Sequence, residues 1–161
     1  MELNFFVRQI KSSDEIGLLQ LRNNPEIYKW FLSRSPVEAT AHKNWMETRL
    51  NSFKEITLIA ESRGSVIGTA YLSDLTNGKA EVSIRVQKAL SSRGVGKLLL
   101  QKLIEQAKDL GLSTLYATIH KNNFDSIRFF ESADFKMTSV RSNSSEDTNS
   151  ADFFTYTLEL F

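Results

Sequence analysis

Two kinds of residue in this sequence are equipped for chemistry: a run that can hold an anion, and a few side chains that can move a proton. The run is Leu90-Ser91-Ser92-Arg93-Gly94-Val95-Gly96-Lys97, where an apolar strand enters a turn with two glycines and continues as a helix. Glycine leaves backbone N–H groups unobstructed. The first amides of a helix have no partner inside it, and together with the positive end of the helix dipole they attract phosphate. Arg93 and Lys97 add two cations. Ser91 to Lys97 therefore reads as a pyrophosphate seat, in which a Cβ added at Gly96 is expected to obstruct the ligand or strain the turn. The plainer alternative is a strand-to-helix connection whose glycines only permit tightness. On the proton side stand Glu81, on the strand before the turn, and His120, at the end of a later strand. A carboxylate or an imidazole with a pKa near 6.5 can act as a base. The plainer alternatives are a solvent-facing strand carboxylate and a loop histidine without catalytic role.

Several chemistries are excluded. A P-loop needs Ser or Thr after its Gly-Lys, whereas Leu98 follows Lys97, and a dinucleotide fingerprint needs a third glycine where Leu99 stands. With no cysteine there is no thiol nucleophile, disulfide or Cys-ligated metal, and no G-x-S-x-G elbow is present. No metal is expected. The 20 basic and 19 acidic residues are interspersed and leave a net charge of +1, which offers no stripe for nucleic acid. The 161 residues, 41% hydrophobic, make a single domain over 1–161. No apolar run is long enough to span a membrane, and Arg8 and Lys11 interrupt the N-terminal segment too early for a signal peptide, so the expected setting is cytoplasmic.

The elements that must position these residues follow from periodicity and punctuation. Leu3 to Ile10 reads as a strand, and Ser12 to Glu15 as a helix start before Ile16, Leu18, Leu19 and Leu21. Pro25 closes that helix, and a polar loop bearing Tyr28, Trp30 and Phe31 follows. Ser35-Pro36-Val37-Glu38 reads as a capping box opening a helix that runs to about Leu50. Glu55 to Glu61, Val66 to Ser73 and Ala80 to Val86 form an antiparallel meander with turns at Arg63-Gly64-Ser65 and Asn77-Gly78. Along its last strand Val82, Ile84 and Val86 share one face, and Glu81, Ser83 and Arg85 share the other. The helix after the turn ends at Gly111. Thr114 to Ile119 is a parallel strand reached through it, followed by a turn at His120 to Asn123. A short helix over Asp125 to Ser132 and strands over Lys136 to Arg141 and Phe153 to Leu160 complete the chain, with a polar, mobile loop expected over Ser142 to Ala151. The last strand is apolar on both faces, as expected either of an edge that pairs across a homodimer or of a covered edge. The order is that of an α/β layout.

The spacing of Val86, Leu90 and Arg93-Gly94-Val95-Gly96 resembles the acetyl-CoA signature of the GNAT N-acetyltransferase superfamily, with Ser91 where that family usually carries Gln or Arg. Asn123-Phe124-Asp125-Ser126-Ile127-Arg128-Phe129-Phe130-Glu131-Ser132-Ala133-Asp134-Phe135 resembles the family segment N-x-x-A-I-x-L-Y-E-K-x-G-F at the same spacing. The resemblance implies an α/β (α+β) GNAT fold: a mixed sheet of about seven strands, about four helices, and a splayed parallel strand pair forming the acetyl-CoA cleft. It implies cofactor contacts at Ile84, Val86, Ser91, Ser92, Arg93, Gly94, Val95, Gly96, Lys97, Asn123 and Phe130. Glu81 matches an acidic position of several GNAT enzymes, and His120 is the second candidate base. Phe130 stands where the family has its general-acid tyrosine, and a phenyl ring donates no proton. The segment Leu21 to Pro25 and the spacing of His42 and Trp45 are similar to amino-sugar N-acetyltransferases of pseudaminic-acid biosynthesis. That similarity implies a nucleotide-linked amino sugar as acceptor, met by Arg22, Asn23, Trp30 and His42. The alternatives are acetylation of protein N-termini or other amines, and a non-catalytic acyl-CoA-binding module.

Overall fold

The computed structural model describes residues 2–140 and 152–161. Seven strands, β1 (Phe6–Gln9), β2 (Thr57–Ser62), β3 (Ser65–Thr76), β4 (Lys79–Val86), β5 (Thr114–His120), β6 (Lys136–Val140) and β7 (Phe153–Glu159), form one sheet in the order β1-β2-β3-β4-β5-β7-β6. Five helices accompany it: α1 (Glu15–Arg22), α2 (Pro25–Tyr28), α3 (Ala39–Leu50), α4 (Val95–Asp109) and α5 (Phe124–Ser132). Among the described strands β4 and β5 are the neighbours that pair in parallel, as their connection through α4 allows; β5 and β6, joined through α5, also run the same way but with β7 between them.

The meander alternates as its sequence requires, so each strand has a face for each layer. Leu58, Ala70, Leu72, Ala80 and Val82 pack under Val95, Leu99 and Leu103 of α4. Leu99 and Leu103 are fully buried, and each such side chain contributes about 1.5–3 kcal/mol of hydrophobic stabilisation. On the opposite face Ile59 meets Leu18 of α1 and Met46 of α3. The two-sided burial of β7 has a different cause from the edge role expected of it: β7 lies between β5 and β6, and β6 is the edge. The expected loop at Ser142 to Ala151 lies outside the described residues, as does Arg141.

Two helix starts differ from expectation. Asn24-Pro25 ends α1 but also begins α2, since the extended backbone that proline imposes on Asn24 suits an N-cap: Asn24 Oδ1 accepts from Glu26 N at 3.0 Å. Downstream, α3 begins at Ala39 with Glu38 as its N-cap, and the Ser35 capping box does not form. Asn23 causes this. Its side chain accepts from Val37 N at 2.7 Å and donates to Val37 O at 3.0 Å, holding the segment extended against the end of α1.

Asp14 fastens β1 to the start of α1. Its carboxylate receives both terminal nitrogens of Arg8, at 2.8 and 2.7 Å, and Lys11 N at 2.9 Å. Burial pushes this carboxyl up, but the Arg8 and Lys11 hydrogen bonds outweigh it and hold the pKa below the ordinary 3.8. A depressed folded-state pKa contributes stability above the unfolded value that disappears as pH falls through the folded one. Urea denaturation from pH 6 to pH 2 should therefore show a stability loss below about pH 4 that Asp14→Asn flattens. At neutral pH the same substitution should destabilise by about 3 kcal/mol.

Candidate active site

The site begins where the parallel ladder stops. β4 and β5 pair at Lys79 with Thr114, Ala80 with Leu115 and Glu81 with Tyr116, and no further. Beyond that rung each strand stays with its antiparallel neighbour, β4 with β3 as far as Val86 and β5 with β7 as far as His120. The central pair is thereby drawn apart at its carboxyl ends, the place where open α/β sheets take ligands. The edge of β4 at Ile84 and Val86 is left with peptide groups that need a partner from outside the sheet.

The turn that follows has the form of an anion seat. Ser92 and Gly94 both have left-handed backbone, φ 66° and 86°. Gly94 caps α4, whose first internal bond runs from Leu98 N to Gly94 O at 3.1 Å. The helix therefore has no acceptor for the amides of Val95, Gly96 and Lys97. A Cβ built on Gly94 meets nothing within 4 Å, so the seat is open above it. Gly96 has a packing role besides the one expected. Its Cβ would sit 3.3 Å from Phe129 Cε2 and 3.8 Å from Val86 Cγ2, so this glycine lets α5 close against α4. Ser91, Ser92, Arg93 and Lys97 are exposed along the same rim, and Lys88 and Asp125 form an ion pair at 3.7 Å between the turn and α5. These donors and this open space fit a diphosphate.

Glu81 occupies the last paired rung, on the face it shares with Ser83 and Arg85. His120 is buried at the far end of β5, with Trp30 and Phe153 at ring distances of 5.5 and 5.2 Å. Arg34 Nη2 lies 3.0 Å from its Nε2 and Asn122 N donates to its Nδ1 at 3.1 Å, so donors face both ring nitrogens. Burial first, then the Arg34 charge, lower its pKa below 6.5. Such a ring stays neutral and is poorly placed to accept a proton. Phe130 is buried between Phe129 and Phe135, with ring centroids at 5.2 and 5.0 Å. With no hydroxyl there, those that share the Glu81 face near the split include Ser83, Tyr116 and Thr118 on β4 and β5 and Tyr71 on β3. Asn123 caps α5, accepting from Ser126 N at 3.3 Å.

Beneath this face lies a cavity of about 310 Å³ lined by Leu18, Arg22, His42, Trp45, Tyr71 and Arg85. Arg22 and His42, both expected to meet the acceptor, are thus brought together, whereas Asn23 is engaged with Val37 and Trp30 lies over His120. Arg85 and Tyr71 are the site residues that sequence reasoning missed. The alternation of β4 was the available signal, because it puts Arg85 on the face of Glu81. Arg49 braces the wall from behind: it donates to Leu72 O and lies 5.3 and 4.7 Å from the rings of Trp45 and Tyr71. A second hollow of about 410 Å³, around Gln9, Phe53 and Glu55, adjoins β2, two strands from β4.

A mixed sheet split at its central parallel pair, with the form of an anion seat at the start of the following helix and a small cavity beside the split, is the layout of an acyltransferase domain that draws on a coenzyme A thioester. Residues 4–136 match the Acetyltransferase (GNAT) domain, and the chain belongs to that family. GNAT acetyltransferases use acetyl-CoA. The chain is 31% identical to the L-methionine sulfoximine/L-methionine sulfone acetyltransferase of Pseudomonas aeruginosa over 59% of its own length. It is 30% identical over 82% of its length to MJ1062 of Methanocaldococcus jannaschii. It spans 58% of the first relative and 28% of the second. An N-acetyltransferase structure from Staphylococcus aureus Mu50 superposes with a TM-score of 0.84 at 26% identity, covering 98% of this chain and 99% of that one. YncA of Salmonella typhimurium, solved with its cofactor acetyl-CoA, shares the fold at a TM-score of 0.83 and 23% identity, covering 98% and 95% of the two chains. Among the described residues no group of side chains could hold a metal ion, and no helix is long and apolar enough to cross a membrane.

Proposed function

We propose that this chain acetylates the primary amine of a small molecule by direct transfer from acetyl-CoA, with the amine presented at the split from the Arg22 and Arg85 cavity. The observation that carries the reading is the break of the β4 and β5 ladder after Glu81 and Tyr116, directly beside that cavity. The cosubstrate supplies an activated acetyl thioester. The Val95 to Lys97 amides hold its diphosphate, and the peptide edge at Ile84 and Val86 pairs with its pantetheine arm. A β4 amide at the split stabilises the developing negative charge on the carbonyl oxygen, an effect worth about 2.7–4 kcal/mol at such sites. Glu81 lies roughly 7 Å along the strand from Ser83 and takes the ammonium proton through a water. The amine nitrogen bonds to the carbonyl carbon, the C–S bond breaks, and the proton that the nitrogen sheds in becoming an amide passes through water or a cleft hydroxyl to the departing thiolate. Thiols ionise near pKa 8.5, so loss of the family's tyrosine at Phe130 slows this step without preventing it.

A compact acceptor is favoured. The cavity lies at the lower end of the roughly 300–1,000 Å³ range of small-molecule sites, and the Pseudomonas relative is named for amino-acid analogues. The nucleotide-linked amino sugar is the second reading, supported by the cations and the aromatic wall. Purified protein with acetyl-CoA should release free CoA with amines drawn from amino acids, their analogues, amino sugars and nucleotide-linked amino sugars. Turnover confined to peptide N-termini would overturn the small-molecule assignment.

A further inference from the structure

Arg22 and Arg85 are arranged in a way that their neighbours do not explain. Their guanidinium carbons lie 4.6 and 4.7 Å from the centroid of the same Phe31 ring, which brings two like charges to one aromatic side chain. Arg22 donates to Ser35 O at 3.3 Å and Arg85 to the Tyr71 hydroxyl at 2.7 Å, and among the described residues neither forms a salt bridge to a carboxylate. Burial first, and then the charge of Arg85, pull Arg22 below its ordinary value.

Two further polar atoms at this cavity are unsatisfied. Arg85 Nε is buried without an acceptor. So is Nδ1 of His42, a residue only 5% exposed. An unmet buried hydrogen-bonding group costs about 1–3 kcal/mol, and a chain that keeps two around one hollow keeps them for something that fills it. Two planar guanidinium forks are donors only, and the Nδ1–H tautomer of a neutral His42 adds a third donor, so the group that suits them is an acceptor with negative charge.

Resting on the acetyl-transfer reading above, we infer that the acceptor amine carries a carboxylate, and that Arg22, Arg85 and His42 select it by holding that carboxylate. The strand sets the spacing. Glu81 and Arg85 flank Ser83 at roughly 7 Å on either side, so an amine near Ser83 has its base on one side and the anion clamp on the other. A bidentate carboxylate also relieves the repulsion between the two arginines, and the small cavity suits an amino acid better than a nucleoside diphosphate.

The test uses the full chain and acetyl-CoA with L-amino acids, each beside its carboxamide and its decarboxylated amine, and with nucleotide-linked amino sugars. Wild-type kcat/KM should favour the best acid over its carboxamide by at least 100-fold. Arg85→Gln and Arg22→Gln, confirmed as folded by circular dichroism, should each cut that ratio below tenfold, mainly by raising KM, and Arg85→Lys should recover part of it. Carboxamides acetylated as fast as acids, or a ratio that survives both variants, would overturn the inference. So would arginine variants that impair only nucleotide-sugar turnover. Thermal shift with the same compounds separates this from the transfer reading. Acids that stabilise wild type but not Arg85→Gln, with no CoA released from any amine, would leave the carboxylate clamp standing and refute transfer. Equal stabilisation by acids and carboxamides would refute the clamp.

Discussion

Glu81→Gln should lower kcat for acetyl transfer by about 10²–10⁴-fold, the range a positioned general base contributes, while acetyl-CoA binds as it does to wild type. Glutamine keeps the size of the side chain and its place on the last rung of the parallel ladder while removing the proton acceptor. The diphosphate seat lies on a different element and should not respond. Titration calorimetry with acetyl-CoA, beside steady-state kinetics on the best amine, separates the two effects. A kcat within threefold of wild type would remove Glu81 from the proton path. His120→Asn provides the contrast. Because donors already face both ring nitrogens, its main effect should fall on the Trp30 and Arg34 loop, and a kcat loss as large as that of Glu81→Gln would reverse the assignment.

Gly94→Ala should weaken acetyl-CoA binding at least tenfold, about 1.4 kcal/mol. Two causes act together. A Cβ at φ 86° strains the turn by about 1–2 kcal/mol, and it projects into the open space over the first amides of α4. Gly96→Ala places its methyl against Phe129 instead, so its effect should appear first as a lower melting temperature. Arg93→Ala should weaken binding less, and by an amount that shrinks as salt rises, since an exposed cation is screened. Calorimetry of the three variants at two salt concentrations checks all of this. Unchanged affinity in folded Gly94→Ala protein would remove the diphosphate from this turn.

The sequence was legible wherever the physics is local. Alternation from Ala80 to Val86 told which side chains share a face, because successive strand residues point to opposite sides whatever the sheet does. The two glycines and cations after Leu90 marked the turn that opens α4, and the ordered pair of motifs pointed to the family. Local signals misled where a distant contact overrode them. The Ser35 capping box gave way to Asn23 holding Val37, and the doubly apolar β7 proved to be interior because β6 covers its outer edge. Asp134 takes the left-handed conformation, φ 69°, at the family's glycine position, a strain no composition reveals. Above all, Arg22 and Arg85 read as one cation at a helix end and another in a strand. Their convergence on Phe31, and the parting of β4 from β5, exist only once each element has found its partners. A strand's face is decided by its own backbone, but a cavity and its charge are decided by which residues from separate elements the closed core leaves facing one another.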